Sequence, residues 1–335
     1  MRMKALLSVL LLSSLAASAQ DLVRLGNLKF AHYGAVSYMK EIAPKYKLKI
    51  DERVFAKGID INPAIVAGEI DASAAALDAA IAGRAAGVPI YVVAGLAKGG
   101  ARIVVAAGSG IKSLKDLKGK KVGVARGGAQ ELLLLAELAS AGLTWSDKPG
   151  KDVLVLYLPF ADLNQTLMAK NIDAMCQSEP YSSQAINKKF GVELLKPYDT
   201  PLGEPIRALV ITEKMYKERR DVAQRFLLCF VEATKKFIDE PATAEKFVRD
   251  VMFKGQITSE DYQDAIGNSP FSYDISVAHV QVTTDLMAKY GVGKMANPPK
   301  AGDWVKLDLL AEAKKQLKIE APKATPAKPA KAKKG

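Results

Sequence analysis

Histidine and cysteine are nearly absent: the 335-residue chain has two of each, His32, His279, Cys176 and Cys229. No group of His, Cys, Asp and Glu has the spacing of a metal site. No nucleophile motif stands near a base. Catalysis therefore has little support, and neither a cofactor nor a metal is expected. An oxidising compartment would permit a disulfide. The two cysteines nonetheless read as separate buried thiols, one in a short apolar run and one within a helical pattern. Beyond the N-terminus, no stretch is apolar and long enough to cross a bilayer. The Gly-rich loop at Arg126-Gly-Gly-Ala129 lacks a following Gly-Lys-Ser/Thr, which excludes a Walker loop.

The N-terminus is the compositional exception. Met1-Arg-Met-Lys4 is basic, residues 5–15 are apolar, and Ala17-Ser-Ala19 is a small-x-small site. This pattern predicts a signal peptide over 1–19, a mature start near Gln20 and export to a periplasm. No cysteine adjoins the cleavage site, so no lipid anchor is expected there. The formal charge of +12 is concentrated at the ends. Five lysines in the 321–335 tail, with Arg2 and Lys4, account for seven of the twelve charges. The Lys/Pro/Ala tail over 319–335 is expected to be disordered and solubilising. Nucleic acid is not an expected partner.

What the chain has is an internal repeat. A strand-like Arg24-Leu-Gly-Asn-Leu-Lys-Phe-Ala31 leads to a loop at His32, Tyr33 and Gly34, then a helix. A polar strand and a helix ending in Ala67-Gly-Glu-Ile-Asp-Ala72 follow. A short apolar run then reaches Asp78, at the head of a helix ending in Ala86-Gly-Val88. The layout recurs as Lys121-Val-Gly-Val-Ala125, the Arg126 loop, a helix, a strand and Ala169-Lys-Asn-Ile-Asp-Ala174. It closes with Glu179 and a helix ending in Phe190-Gly-Val192. Nine strands are expected, over 23–31, 48–55, 72–76, 91–94, 103–106, 121–125, 153–158, 174–177 and 208–212. Helices separate them, and the last third is nearly all helical, with helices expected over 241–252 and 304–316 among others. Alternating strands and helices predict α/β lobes with mostly parallel sheets. Lobe 1 is expected over 20–102 and 207–318, and lobe 2 over 103–206. The crossings fall near 98–103 and 200–207, two Gly/Pro-containing stretches suited to a hinge.

Ser113-Leu-Lys-Asp-Leu-Lys-Gly-Lys-Lys-Val-Gly-Val-Ala-Arg-Gly-Gly128 resembles a signature of periplasmic substrate-binding proteins. The Leu133–Leu143 continuation, the x-Ile-Asp-Ala element in both halves and Glu179-Pro-Tyr181 fit the same group. These motifs are similar to the nitrate/sulfonate/taurine and thiamine-precursor branch of ABC-importer binding proteins, over roughly residues 23–244. The resemblance implies a type II two-lobed fold with a hinge, a small molecule held between the lobes, and delivery to ABC permease subunits at the inner membrane. A monomer is expected. The first loop, His32-Tyr-Gly-Ala-Val-Ser37, lacks the usual proline, so ligand identity does not carry over. Sulfonate, taurine, nitrate and aromatic carboxylate all stay open. So do a heteroaromatic thiamine-precursor-like ligand, a receptor feeding a sensor kinase, and an enzyme on the same fold.

The candidate ligand residues are Tyr33, Gly34, Ala76, Asp78, Gly127, Gly128, Ala129, Gln130, Glu179, Tyr181 and Arg207. Gly127 to Gln130 open a helix, whose free N–H groups and dipole suit an anion. Asp78 and Glu179 occupy matching places. Each either complements a helix N-terminus or meets a ligand ammonium or ring N–H. Tyr33 and Tyr181 can stack on a ligand or seal a lobe edge, and His32 can donate a hydrogen bond. Arg207 either grips an anion bidentately or pairs with Glu204 on the surface.

Overall fold

The computed structural model describes residues 20–319. The expected signal peptide, and the basic tail apart from Ile319, lie outside the described residues. Eleven strands are present among these: β1 Asp21–Leu28, β2 Leu48–Phe55, β3 Ala72–Ala76, β4 Ile90–Lys98, β5 Ala101–Ala106, β6 Lys121–Val124, β7 Trp145–Ser146, β8 Val153–Tyr157, β9 Ala174–Ser178, β10 Gly191–Leu195 and β11 Ile206–Thr212.

The strands form two sheets, ordered β2-β1-β3-β11-β4 and β10-β5-β9-β6-β8-β7. The repeat seen in the sequence is visible in this order. In the first sheet the crossing strand β11 enters between β3 and β4. In the second, β5 enters between β9 and β10, the corresponding strands of the later half. The crossing strands run antiparallel to both neighbours, whereas β1 with β2 and β3, and β6 with β8 and β9, pair in parallel. Both sheets are therefore mixed, with a parallel part beside an inserted return strand. The chain changes sheet between Lys98 and Ala101, and again between Leu195 and Ile206. The two passages touch: the Gly99 N–H donates to the Pro205 carbonyl at 2.8 Å.

Both repeats end their second helix with a left-handed residue, Gly68 at φ 73° and Lys170 at φ 59°. The next helices are less alike than the sequence suggests. Gly87 is left-handed, but its counterpart is Lys189, at φ 62°, and not Gly191. Gly191 is constrained by space instead, since a Cβ there would lie 2.6 Å from Val104 Cγ1.

The two short or polar strands, β7 and β10, have no counterpart among the expected strands. The helix expected over 304–316 is broken into Ala301–Trp304 and Asp308–Gln316. Val305 bridges Val92 of β4 between the two pieces, and the Lys306 N–H donates to the Val92 carbonyl at 2.8 Å. Covering the edge of β4 overrides local helical preference. The 241–252 helix is likewise divided, its second part being a π-helix, Phe247–Met252.

A continuous apolar core runs beneath both sheets. A second cluster joins Phe237, Phe247, Val248, Phe253, Tyr262 and Phe271 to Ala31 and Ala35. It seats the later helices on the loop after β1. Cys176 and Cys229 are separate buried thiols. Burial pushes both well above the ordinary thiol range. No described helix is long and apolar enough to cross a membrane.

Candidate functional site

The duplicated topology places one arginine in each half in a similar setting. Arg207 on β11 lies beside Ala76 on β3, two residues before Asp78. Arg102 on β5 lies beside Gln177 on β9, two residues before Glu179. All four charged side chains are buried, Arg102 at 3% and Arg207 at 2% exposure. The two settings differ in what the charges meet.

Around Arg102 every charge is answered. Its Nε donates to Glu179 Oε1 at 2.7 Å, Nη1 to Glu193 at 3.0 Å and Nη2 to Ser183 Oγ at 2.8 Å. Nη2 also pairs with Asp264. Glu179 Oε1 accepts a second bond from Asn268 Nδ2 at 2.7 Å. Its Oε2 accepts from the Ser183 hydroxyl at 2.7 Å and backbone N–H at 3.1 Å. Both oxygens of Glu179 are thus engaged by protein donors. Of the two roles weighed from sequence, the helix-end role is present in the bond from the Ser183 N–H, in the first turn of the helix Tyr181–Asn187, and it is joined to a buried ion-pair network. Asp264 and Asn268 belong to the helix Ser259–Asn268 and its end, so this network ties that helix to the second sheet.

Around Arg207 the charges are unanswered. Nη2 makes one long bond, 3.5 Å, to the Gly100 carbonyl. Nη1 has no partner, nor does either oxygen of Asp78 or either ring nitrogen of His32. Among the described residues Arg207 makes no ion pair within 4.0 Å. The surface pairing with Glu204 is therefore excluded: β11 is an interior strand, flanked by β3 and β4, and it carries Arg207 inward. Gly100 joins these groups, since a Cβ there would lie 3.2 Å from His32 Cε1. Burial, and then the Arg207 charge, hold the His32 imidazole well below its usual range, so it is neutral. A buried guanidinium with no hydrogen-bonded carboxylate, beside a neutral imidazole, keeps donor capacity that the surrounding protein does not fill.

Asp78 stands at the second position of the helix Leu77–Ala85. Burial pushes its carboxyl up to about 7, against the opposing pull of Arg207. Between about pH 4 and 7 the native state then holds a proton that the unfolded chain has released. This contribution to stability is complete below about pH 4 and is lost as pH rises toward 7. Asp78→Asn has no such proton. Its melting temperature relative to the parent is expected to climb by a few degrees between about pH 4.5 and 7.5. Thermal melts with a pH-independent difference would show that Asp78 titrates as an ordinary carboxylate.

The helix Ala129–Ser140 starts from Gly128 at an ordinary φ of −123°, so only Gly127, at φ 77°, needs glycine for its backbone. The Gly127 N–H donates to Glu131 Oε2 at 2.7 Å. In the first turn the Glu131 N–H donates to the Gly128 carbonyl at 2.9 Å, and Ala129 and Gln130 are buried there. A Cβ on Gly128 would lie 3.2 Å from Gln130 Oε1 and 3.4 Å from the Phe160 ring. Ala76 ends β3, next to Arg207. A Cβ on Gly34 would fall 2.5 Å from Val248 Cγ2, so its glycine serves helix packing. Tyr33 is buried between Phe30 and His32, with ring centroids 5.9 and 4.9 Å away. Tyr181 is half-buried and meets Phe30 edge-on at 6.0 Å.

A model described as the NMT1-like family matches residues 19–251, more than half of the chain. The chain belongs to this family. The putative aliphatic sulfonates-binding protein of Escherichia coli K12 is 31% identical over 195 residues, 57% of this chain and 59% of that protein. The nitrate/nitrite binding protein NrtA of Nostoc sp. PCC 7120 is 24% identical over 178 residues, 48% of this chain and 39% of that protein. The chain therefore spans less than two thirds of the length of either curated relative. The solved alkanesulfonate-binding protein SsuA from Xanthomonas axonopodis pv. citri, bound to MOPS, matches with a TM-score of 0.72 at 19% identity. That match covers 85% of this chain and 98% of the other. The shared fold is that of type II periplasmic binding proteins.

In this NMT1-like chain, sequence reading missed Arg102, Phe30, Phe160 and Gly100. Arg102 was findable, as a single charge within the apolar run Ala101-Arg-Ile-Val-Val-Ala106. Phe30 and Phe160 read as ordinary core residues, and only their meeting at 5.2 Å marks them.

Proposed function

We propose that the protein is the periplasmic solute-binding component of an ABC importer. It acts as a monomer that captures a small organic or inorganic anion between two lobes and delivers it to membrane permease subunits. The lobes correspond to the two sheets with their helices, and the passages at Gly99–Gly100 and 196–205 serve as the hinge. The observation that carries this reading is the contrast between the two buried arginines. Arg102 is neutralised by protein carboxylates, whereas Arg207 is left with donors that an incoming anion would satisfy. The relatives named for sulfonate and nitrate binding support an anionic ligand, and the signal-like N-terminus supports export. Native mass spectrometry of freshly purified mature protein, followed by calorimetry with the anion found, tests the proposal. A saturable one-to-one complex that raises the melting temperature by mass action is expected. Failure of nitrate, sulfonates and carboxylates alike to bind would overturn it.

A further inference from the structure

The mouth of the cleft between the two sheets has a character that a simple anion does not need. Two adjoining cavities, of about 310 and 330 Å³, share Ala56, Pro159 and Phe160. They lie where the loop after β2 faces the loop after β8. Each is larger than nitrate or taurine requires, and their combined size suits a ligand with a substantial body. Aromatic rings wall them from both sides. Phe30, after β1, meets Phe160 edge-on at 5.2 Å and Tyr181 edge-on at 6.0 Å, two rings from the other sheet. On its remaining side Phe30 stacks on His32, at 5.9 Å and 8° between planes. His32 in turn shares Gly100 with Arg207. A chain of buried ring contacts thus leads from the cavity at Phe30 through His32 toward Arg207, which itself lines neither cavity. At the rim, the Arg126 guanidinium lies 3.6 Å over the Tyr157 ring, and Lys57 lines the same cavity.

An inorganic anion gains nothing from ring faces. An alkyl chain gains buried area but not the edge-to-face and stacking geometry that aromatic pairs add. A flat ring bearing an acid gains both. We infer that the cleft selects aromatic organic anions, a carboxylate or sulfonate on a planar ring, with the ring held by Phe30, Phe160 and Tyr181 and the acid group directed toward Arg207. This inference rests on the anion-binding reading above and narrows it to one substrate class.

Calorimetry on the mature chain tests it with four probes: sodium nitrate, hexanesulfonate, benzenesulfonate and benzoate. At least one aromatic acid is expected to bind about tenfold more tightly than hexanesulfonate, the contribution of one good aromatic contact. Phe160→Leu, and independently Phe30→Leu, should remove most of that preference by weakening the aromatic acids several-fold more than hexanesulfonate. Thermal melts of both variants check that they fold. Binding of nitrate or hexanesulfonate with no aromatic preference would overturn the aromatic inference and leave the anion-binding reading standing. Equal loss for every probe in both folded variants would also overturn it, by making the rings structural. No binding of any probe would remove both readings together.

Discussion

Arg207→Met is expected to weaken anion binding by about 100- to 1000-fold and, at the same time, to raise the melting temperature of the ligand-free protein. The first effect follows from removing a desolvated charge partner, which costs about 3–4 kcal/mol when the anion is left without its guanidinium. The second follows from the state of Arg207 in the fold. The side chain is 2% exposed, with one long bond to Gly100 and an Nη1 without a partner. A buried ion without compensation destabilises the protein that holds it by several kcal/mol, and methionine fills similar volume without that penalty. Opposite signs for affinity and stability distinguish a ligand-binding arginine from a structural one, which would lose both. Calorimetry and thermal melts on the same preparation read the two signs. Undiminished affinity in a folded variant would move the anion to the N–H groups of Gly128, Ala129 and Gln130.

Glu179→Ala should produce the converse pattern, a fall of about 3–5 kcal/mol in stability with the affinity of the folded fraction changed only modestly. The carboxylate holds Arg102 at 2.7 Å, Asn268 at 2.7 Å and Ser183 by both hydroxyl and backbone. Its removal leaves Arg102 buried beside half-exposed Glu193 and Asp264, which partly compensate. The melting temperature should drop by about 10 °C. Glu179→Gln should recover part of the loss, because an amide oxygen still accepts from Ser183 or Asn268. Denaturant titration and calorimetry below the transition separate the two quantities. A normal melting temperature with abolished binding would return Glu179 to the ligand.

The architecture was legible because it is written twice. The helix-ending Ile-Asp-Ala elements and the acids after β3 and β9 recur at matching places, and five strands of the second sheet repeat the order of the first, with β7 added at its edge. Edges were less legible. β10 alternates too little for a strand signal, and Val305 is extended only because β4 lies beside it. The site was legible as a set of loops but not as a circuit of charges. Glu179 and Arg102 are 77 residues apart, and Arg102 and Asp264 are 162 apart. Nothing local tells Glu179 that it has partners or Asp78 that it has none. From sequence Arg207 stood open between an anion contact and a surface pair with Glu204. Its burial comes from β3 and β4 on either side, which is a tertiary fact.

The helix Ser259–Asn268 sets where this chain can be recombined. The family match stops at residue 251, so that boundary looks like a natural seam for splicing in the C-terminal helices of a relative. The seam cuts through an electrostatic circuit. Asp264 and Asn268 lie beyond it, while Arg102 and Glu179 lie before it. A hybrid joined there would inherit a guanidinium and a carboxylate selected for donors and acceptors that the graft does not bring. Splicing after Phe271 instead would carry the whole circuit across, together with the aromatic cluster that seats the helix on the loop after β1.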